Sequence, residues 1–358
     1  MLKQEANDGM VINKLPPELL GHIFHLTTAT AKQPIRNAVR ASTVCRQWRA
    51  VALSMPHIWS RLEDSARTLS LDLFRLCLER SKTLPISVSC SDRWHGGALQ
   101  EHGARLKHLA FAEPLVAFVL RDISVPLLET LRIAGSGSPY LLPDDLFGNY
   151  APRLTHLAVR WDILSANRQY GFVGGVTRLD LLHVPGLIAL GPDLPRLAHF
   201  LRQLPHLIVL TGVCPTEDDS SIPSNIPLAN LEELHALDTE AEERFLLAPF
   251  ELLQHERIPK IFIARPSRAM YISTCRSTSP IVYAKLDRLR RQAVFRDDNS
   301  FTRTFTDCKV HKVPCEASLL PGASHAHRRH TQHRPQPPIC DDPQLGLSEV
   351  AHAGFVVD

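Results

Sequence analysis

The side chains with catalytic potential are scattered along the chain. Eighteen histidines are the one unusual supply of acid–base groups. Most stand singly on amphipathic stretches, where an imidazole packs rather than shuttles protons. Gly135-Ser136-Gly137-Ser138-Pro139 begins like the G-x-S-x-G turn that presents a nucleophilic serine. Pro139 takes the place of the last glycine, so the segment reads as a turn only. His255-Glu256 opens like a zinc-protease helix, but Pro259 stands where the second histidine belongs and breaks that helix. His325, His327, His330 and His333 can meet a divalent metal, yet their spacing matches no closed tetrahedral site. No G-x-x-x-x-G-K-S/T occurs, and no G-x-G-x-x-G follows a strand, so no phosphate cradle is encoded. The cysteines at 45, 77, 90, 214, 275, 308, 315 and 340 form no C-x-x-C pair. The chain is therefore expected to be no enzyme and to carry no metal and no cofactor.

The bulk composition agrees with a folded binding protein. The chain has 358 residues, 44% hydrophobic and 22% charged, which excludes wholesale disorder. Lys and Arg number 40 against 37 Asp and Glu, so no general pull toward nucleic acid or anionic membrane is expected. No run approaches 18 apolar residues, and Met1 to Asp8 lacks the apolar stretch of a secretory signal. Dispersed cysteines fit a reducing compartment, cytoplasmic and/or nuclear.

The elements that must position any binding site fall into zones. After a polar leader, 11–62 reads as a compact helical unit. Ile12, Leu15, Leu19, Leu20, Ile23 and Phe24 recur at three- and four-residue steps, the mark of an amphipathic helix. Pro16-Pro17-Glu18 starts it, because proline is preset for the first turn and Glu18 complements the helix dipole. A second helix is predicted from Ile35 to Cys45. A third carries Arg46, Trp48, Arg49, Val51 and Ala52 and stops near Met55-Pro56. So few core residues leave this unit marginal alone, in need of the following domain or a partner.

Three blocks in this unit resemble an F-box: Leu15-Pro16-Pro17-Glu18-Leu19-Leu20-Gly21-His22-Ile23-Phe24, then Val44-Cys45-Arg46-Gln47-Trp48-Arg49, then Pro56-His57-Ile58-Trp59. The run from Ala52 to Trp59, and Leu76-Cys77-Leu78-Glu79-Arg80-Ser81 before Leu84-Pro85, are similar to fungal F-box proteins. The resemblance implies docking onto the Skp-type adaptor of a cullin–RING (SCF-type) ubiquitin ligase. It further implies that Leu15, Pro16, Leu19, Leu20 and Ile23 form the adaptor contact, with Phe24 shared between that contact and the core.

Between 84 and 264, within a domain expected over 63–265, a pattern L-x-x-L-x-apolar returns. Copies begin at Leu106, Leu128, Leu154, Val176, Leu207, Leu231 and Ile258, at steps of 22, 26, 22, 31, 24 and 27 residues. That spacing is in the leucine-rich-repeat range. The fifth and sixth copies lack the last apolar position. Prolines 126, 152, 205 and 227 precede strands, and helical candidates lie at 115–120, 142–150 and 197–204. One strand and one helix or turn per repeat stack into a solenoid, irregular here, because no repeat buries its apolar face alone. An ordinary α/β domain with parallel strands is the alternative. The fold class expected is α+β: a three-helix F-box followed by an α/β solenoid. In L-x-x-L-x-L the leucines face inward and the intervening residues line an open concave sheet. His108, Arg132, His156, Arg160, Arg178 and Asp180 are placed there as candidate target-binding residues.

After Arg265-Pro266 the repeats stop. A basic helix from Tyr283 to Val294, with Lys285, Arg288, Arg290 and Arg291, is expected within 266–295 as a cap over the last repeat. Residues 296–358, with Pro335-Gln336-Pro337-Pro338, read as a disordered tail. The expected role is a substrate receptor that binds an unidentified protein target through the solenoid and the ligase through the F-box. A non-degradative scaffold is the alternative.

Overall fold

The computed structural model describes residues 10–62, 69–90, 93–111, 115–134, 141–165, 167–182, 194–212, 228–237, 258–264, 281–287, 292–297, 301–306 and 355–357. The chain divides into two compact units, 1–184 and 185–358.

In the first unit, α1 spans Pro17–Ala29, α2 Pro34–Val44 and α3 Arg46–Ser54. Proline stands in the first turn of both α1 and α2, where its missing N–H costs nothing. Cys45 is fully extended (φ −154°, ψ 175°) and breaks α2 from α3. A short 3₁₀ turn, Pro56–Trp59, follows. Leu20, Phe24, Ile35, Ala38, Ala52, Ile58 and Trp59 are buried together. Gly21 lets α1 approach Met55, whose Sδ would lie 3.0 Å from a side-chain carbon there. The Trp59 indole donates to Ala52 O at 2.9 Å, so its polar atom is satisfied inside the core. Arg80 of α4 (Leu71–Arg80) lies over the Trp59 ring at 4.4 Å. The helical segment thus continues into the next element instead of closing on its own small core.

A parallel sheet follows: β1 Arg61–Leu62, β2 Ile86–Cys90, β3 Leu106–Phe111, β4 Thr130–Ile133, β5 His156–Arg160 and β6 Arg178–Leu182. Its register is that of the sequence period. Val88, Leu109, Leu131, Leu157 and Leu179 align across β2–β6, and Phe111, Ile133, Val159 and Leu181 align one step further. All are buried. Each such side chain contributes roughly 1.5–3 kcal/mol when removed from water, which fixes the register.

The connecting segments cover this apolar face with Val116 and Ala117 of α5 (Leu115–Val119), Leu146, Phe147, Phe172 and Val173. The helix expected at 142–150 is instead a short turn, Leu146–Asn149. Phe147, Gly148 and Asn149 all have φ near 60° there, a left-handed run that only glycine adopts freely. Asn149 Oδ1 accepts from Gly171 N at 3.0 Å and ties that turn to the next connection.

The second unit repeats the pattern. It contains α6 (Leu194–Leu201) and the parallel strands β7 Val209–Gly212, β8 Glu233–Leu237 and β9 Lys260–Ala264, with Leu210, Leu234 and Ile261 in register. Two expectations are corrected after β9. The described parts of the stretch expected as a capping helix, 283–287 and 292–294, instead belong to an antiparallel pair, β10 Ile281–Asp287 and β11 Gln292–Asp297. The β-branched and aromatic content of Ile281-Val282-Tyr283 and Val294-Phe295 favours strand, and Arg288 and Arg291 would repel three residues apart on a helix. Nor is 296–358 wholly a free tail. β12, Thr302–Thr306, pairs parallel to β9 and antiparallel to β11, and β13, Phe355–Val357, pairs with β10. The remainder of that tail, including the histidine-rich run and the prolines, lies outside the described residues, as do 266–280.

Candidate functional site

Two surfaces carry the predicted site residues. The first is α1. At about 100° per residue, Leu20, Phe24 and Thr28 share the core side of this helix and are buried. Leu19, Ile23 and Leu26 lie on the opposite side and are 52%, 36% and 51% exposed. The helix is therefore apolar on both sides, with only one covered by the protein itself. Met10, Val11 and Ile12, which precede it, are exposed as well. Trp48 Nε1 donates to Asn13 Oδ1 at 2.6 Å, and Gln47 Nε2 donates to Leu15 O at 3.4 Å, so α3 pins this leading turn.

Among the six residues implied as adaptor contacts, Pro16, Leu19 and Ile23 are exposed and Leu15 is half-buried. Leu20, fully buried, and Phe24 at 2% exposure are core residues, because they share the face that meets α2 and α3. Sequence reasoning missed Leu26, although it stands seven residues after Leu19 and so continues the same stripe. His25 packs edge-on against His57 with ring centroids 4.9 Å apart. Burial, and then the neighbouring His25, push the His57 imidazole below its ordinary value.

The second surface is the open face of β3–β6. His108, Thr130, His156 and Arg178 align in one row, and Ala110, Arg132, Ala158 and Asp180 in the next. Residues two apart share a strand face, so both rows look the same way. His156 Nε2 lies 2.7 Å from Asp180 Oδ2, and Arg178 Nε donates to Asp180 Oδ1 at 3.2 Å. His108 and His156 are half-buried, Arg132 and Arg178 exposed. Arg160 departs from the expected placement: it is 3% exposed and clamps Asp162 through Nε at 2.8 Å and through Nη2. It ends β5, and the 3₁₀ turn Trp161–Ile163 brings Asp162 back onto it.

The matching face of the second unit is mixed. Lys260 Nζ donates to Glu233 Oε1 at 2.8 Å, and His235 stacks on Phe262 at 4.4 Å. The Lys260 hydrogen bond lowers the Glu233 carboxyl, against the effect of burial. Among the described residues no group of three His, Cys, Asp or Glu side chains is arranged for a metal ion, and no helix is long and apolar enough to cross a membrane.

Residues 12–64 match the F-box-like family, which spans α1 to α3, the Pro56–Trp59 turn and β1. No curated protein shows significant similarity to the chain. F-box domains typically bind Skp-type adaptors, and the match supports an adaptor-linked, substrate-recognition role in an SCF-type ligase.

Proposed function

We propose that this chain is the substrate-recognition subunit of a cullin–RING ligase of the SCF type. The F-box-like segment holds the Skp-type adaptor, and through it the cullin. The parallel sheet behind it is an irregular leucine-rich-repeat solenoid of the fungal F-box kind, whose open face holds a protein target. The work is proximity. Tethering raises the effective concentration of target lysines near the ubiquitin-loaded enzyme, so this chain supplies no catalytic residue. It acts in the cytoplasm or nucleus, where the ligase machinery is found.

The observation that carries this reading is the stripe Leu19, Ile23 and Leu26, left in water opposite the core of α1 within the F-box-like match. An apolar stripe at helical spacing is the usual form of a helix-borne docking surface. Co-purification of the full chain with adaptor and cullin tests it. Recovery of both is expected, and their absence from material that binds other proteins would refute the role.

A further inference from the structure

The cations on the open face of β3–β6 are not alike. Asp180 is held by both His156 and Arg178, and Arg160 is clamped to Asp162. Arg132 is different. It is exposed, and among the described residues it makes no hydrogen bond and no ion pair. Its register partners on either side are Ala110 and Ala158. Across strands about 4.8 Å apart, neither methyl group can pair with the guanidinium, and Ala158 is itself buried. Thr130, two residues earlier on the same face of β4, likewise has no hydrogen-bond partner among the described residues. His108 and His156 stand on the diagonals of Arg132, because both align with Thr130.

The geometry points to Arg132 as the receptor of a carboxylate on a protein target, with the Thr130 hydroxyl beneath it and the two imidazoles flanking it. This inference rests on the receptor role proposed above and names the chemistry of what the receptor holds. The guanidinium fork matches the two oxygens of a carboxylate and binds it bidentately. Charge selects the carboxylate over a phosphate. Arg178 and Arg160 are already matched by Asp180 and Asp162, so among the described residues of this face one full cation is left for the ligand. A monoanion balances it, whereas a dianion would be half neutralised with Asp180 in the same row. One free cation is also far too little for nucleic acid or an anionic membrane, which need many.

The test uses the full chain and three labelled decapeptides in fluorescence anisotropy: alternating Glu and Thr, alternating Gln and Thr, and alternating phosphoserine and Thr. The Glu peptide is expected to bind about tenfold more tightly than the Gln peptide, a typical gain for a charge-assisted pair. Arg132→Ala removes that difference while leaving thermal stability unchanged. Arg132→Lys restores only part, since it returns the charge without the fork. Equal binding of Glu and Gln peptides, indifference of the Glu peptide to Arg132→Ala, or tighter binding of the phosphoserine peptide would each overturn the assignment. Adaptor binding is measured on the same samples. Its loss in the unaltered chain counts against the receptor role, whereas its persistence beside a failed peptide result counts against this site alone.

Discussion

Arg303 of β12 stands directly beside Ile261 of β9, in the row that carries Leu210 and Leu234 on the strands before it. An arginine has taken the place of an aliphatic side chain and is only 7% exposed. Its Nη1 donates to Ile258 O at 2.9 Å and reaches Pro259 O at 3.4 Å. Both carbonyls precede β9; Pro259 O also accepts from Thr302 N of β12 at 2.7 Å, whereas Ile258 O is met by the guanidinium. The guanidinium therefore ends the aliphatic row and gives Ile258 O a donor. β12 then departs from the parallel rule by pairing antiparallel with β11.

Replacing Arg303 with alanine should loosen this end of the second unit. The change removes charge-assisted hydrogen bonds from a buried position, at about 1.5–3 kcal/mol. Hydrogen exchange of the β9 and β12 amides is the appropriate measure, since a chain of two units need not unfold in one step. Arg303→Met should cost less, because it keeps the apolar stem and buries no unpaired charge. Equal protection in Arg303→Ala and the unaltered protein would show that β12 does not depend on this side chain.

The neighbours Leu19 and Leu20 should separate docking from folding. Leu19→Asp places a carboxylate on the exposed stripe of α1, and Leu20→Asp places one in the core. The first should abolish adaptor capture with little change in melting temperature. The second should unfold the helical segment, since an unpaired buried charge costs several kcal/mol. Adaptor pull-down paired with circular dichroism distinguishes them. Full-strength capture by Leu19→Asp would remove the stripe from the interface.

The aliphatic rows were legible in the sequence because one spacing, L-x-x-L, sets both the period of the repeat and the inward face of each strand. Leu109, Leu131, Leu157 and Leu179 align as that spacing implies. Leu20 was misassigned because α1 is apolar on both sides, and i, i+3, i+4 spacing does not say which side meets the core. The position of Arg160 depended on where β5 ends and on Asp162 folding back, a turn that carries no strong signal. Residues 281–297 offered apolar and basic positions compatible with either period, and pairing with β12 decided for strand.

Arg105 should prove to be a joint between α4 and the strands. Its Nε donates to Leu84 O at 3.0 Å, its Nη1 to Leu78 O at 3.3 Å, and its Nη2 to the Ser81 hydroxyl. A cation at the carboxyl end of a helix meets both the negative end of the dipole and unpaired carbonyls. Arg105→Ala should lower stability by about 1.5–3 kcal/mol, and Arg105→Lys should recover part of it through charge alone. Thermal unfolding of the two variants checks this. No difference between alanine and arginine would mean that Ser81 and the backbone cap α4 without help.

Acidification should weaken the first unit through two histidines. Burial and the charge of His25 push His57 below its ordinary value of 6.5, and burial with the charge of Arg105 does the same to His102. A depressed histidine binds its proton more readily in the unfolded chain than in the folded one. Stability is therefore fully present above pH 6.5 and falls as the pH drops from there through the folded values. The Glu233 carboxyl is shifted downward from 4.5, so its contribution is lost only at lower pH, in a second window. Melting temperatures taken at half-unit steps between about pH 7.5 and 5 should slope downward, and His57→Gln with His102→Gln should flatten that slope. An unchanged slope in the double variant would place the acid sensitivity on other groups.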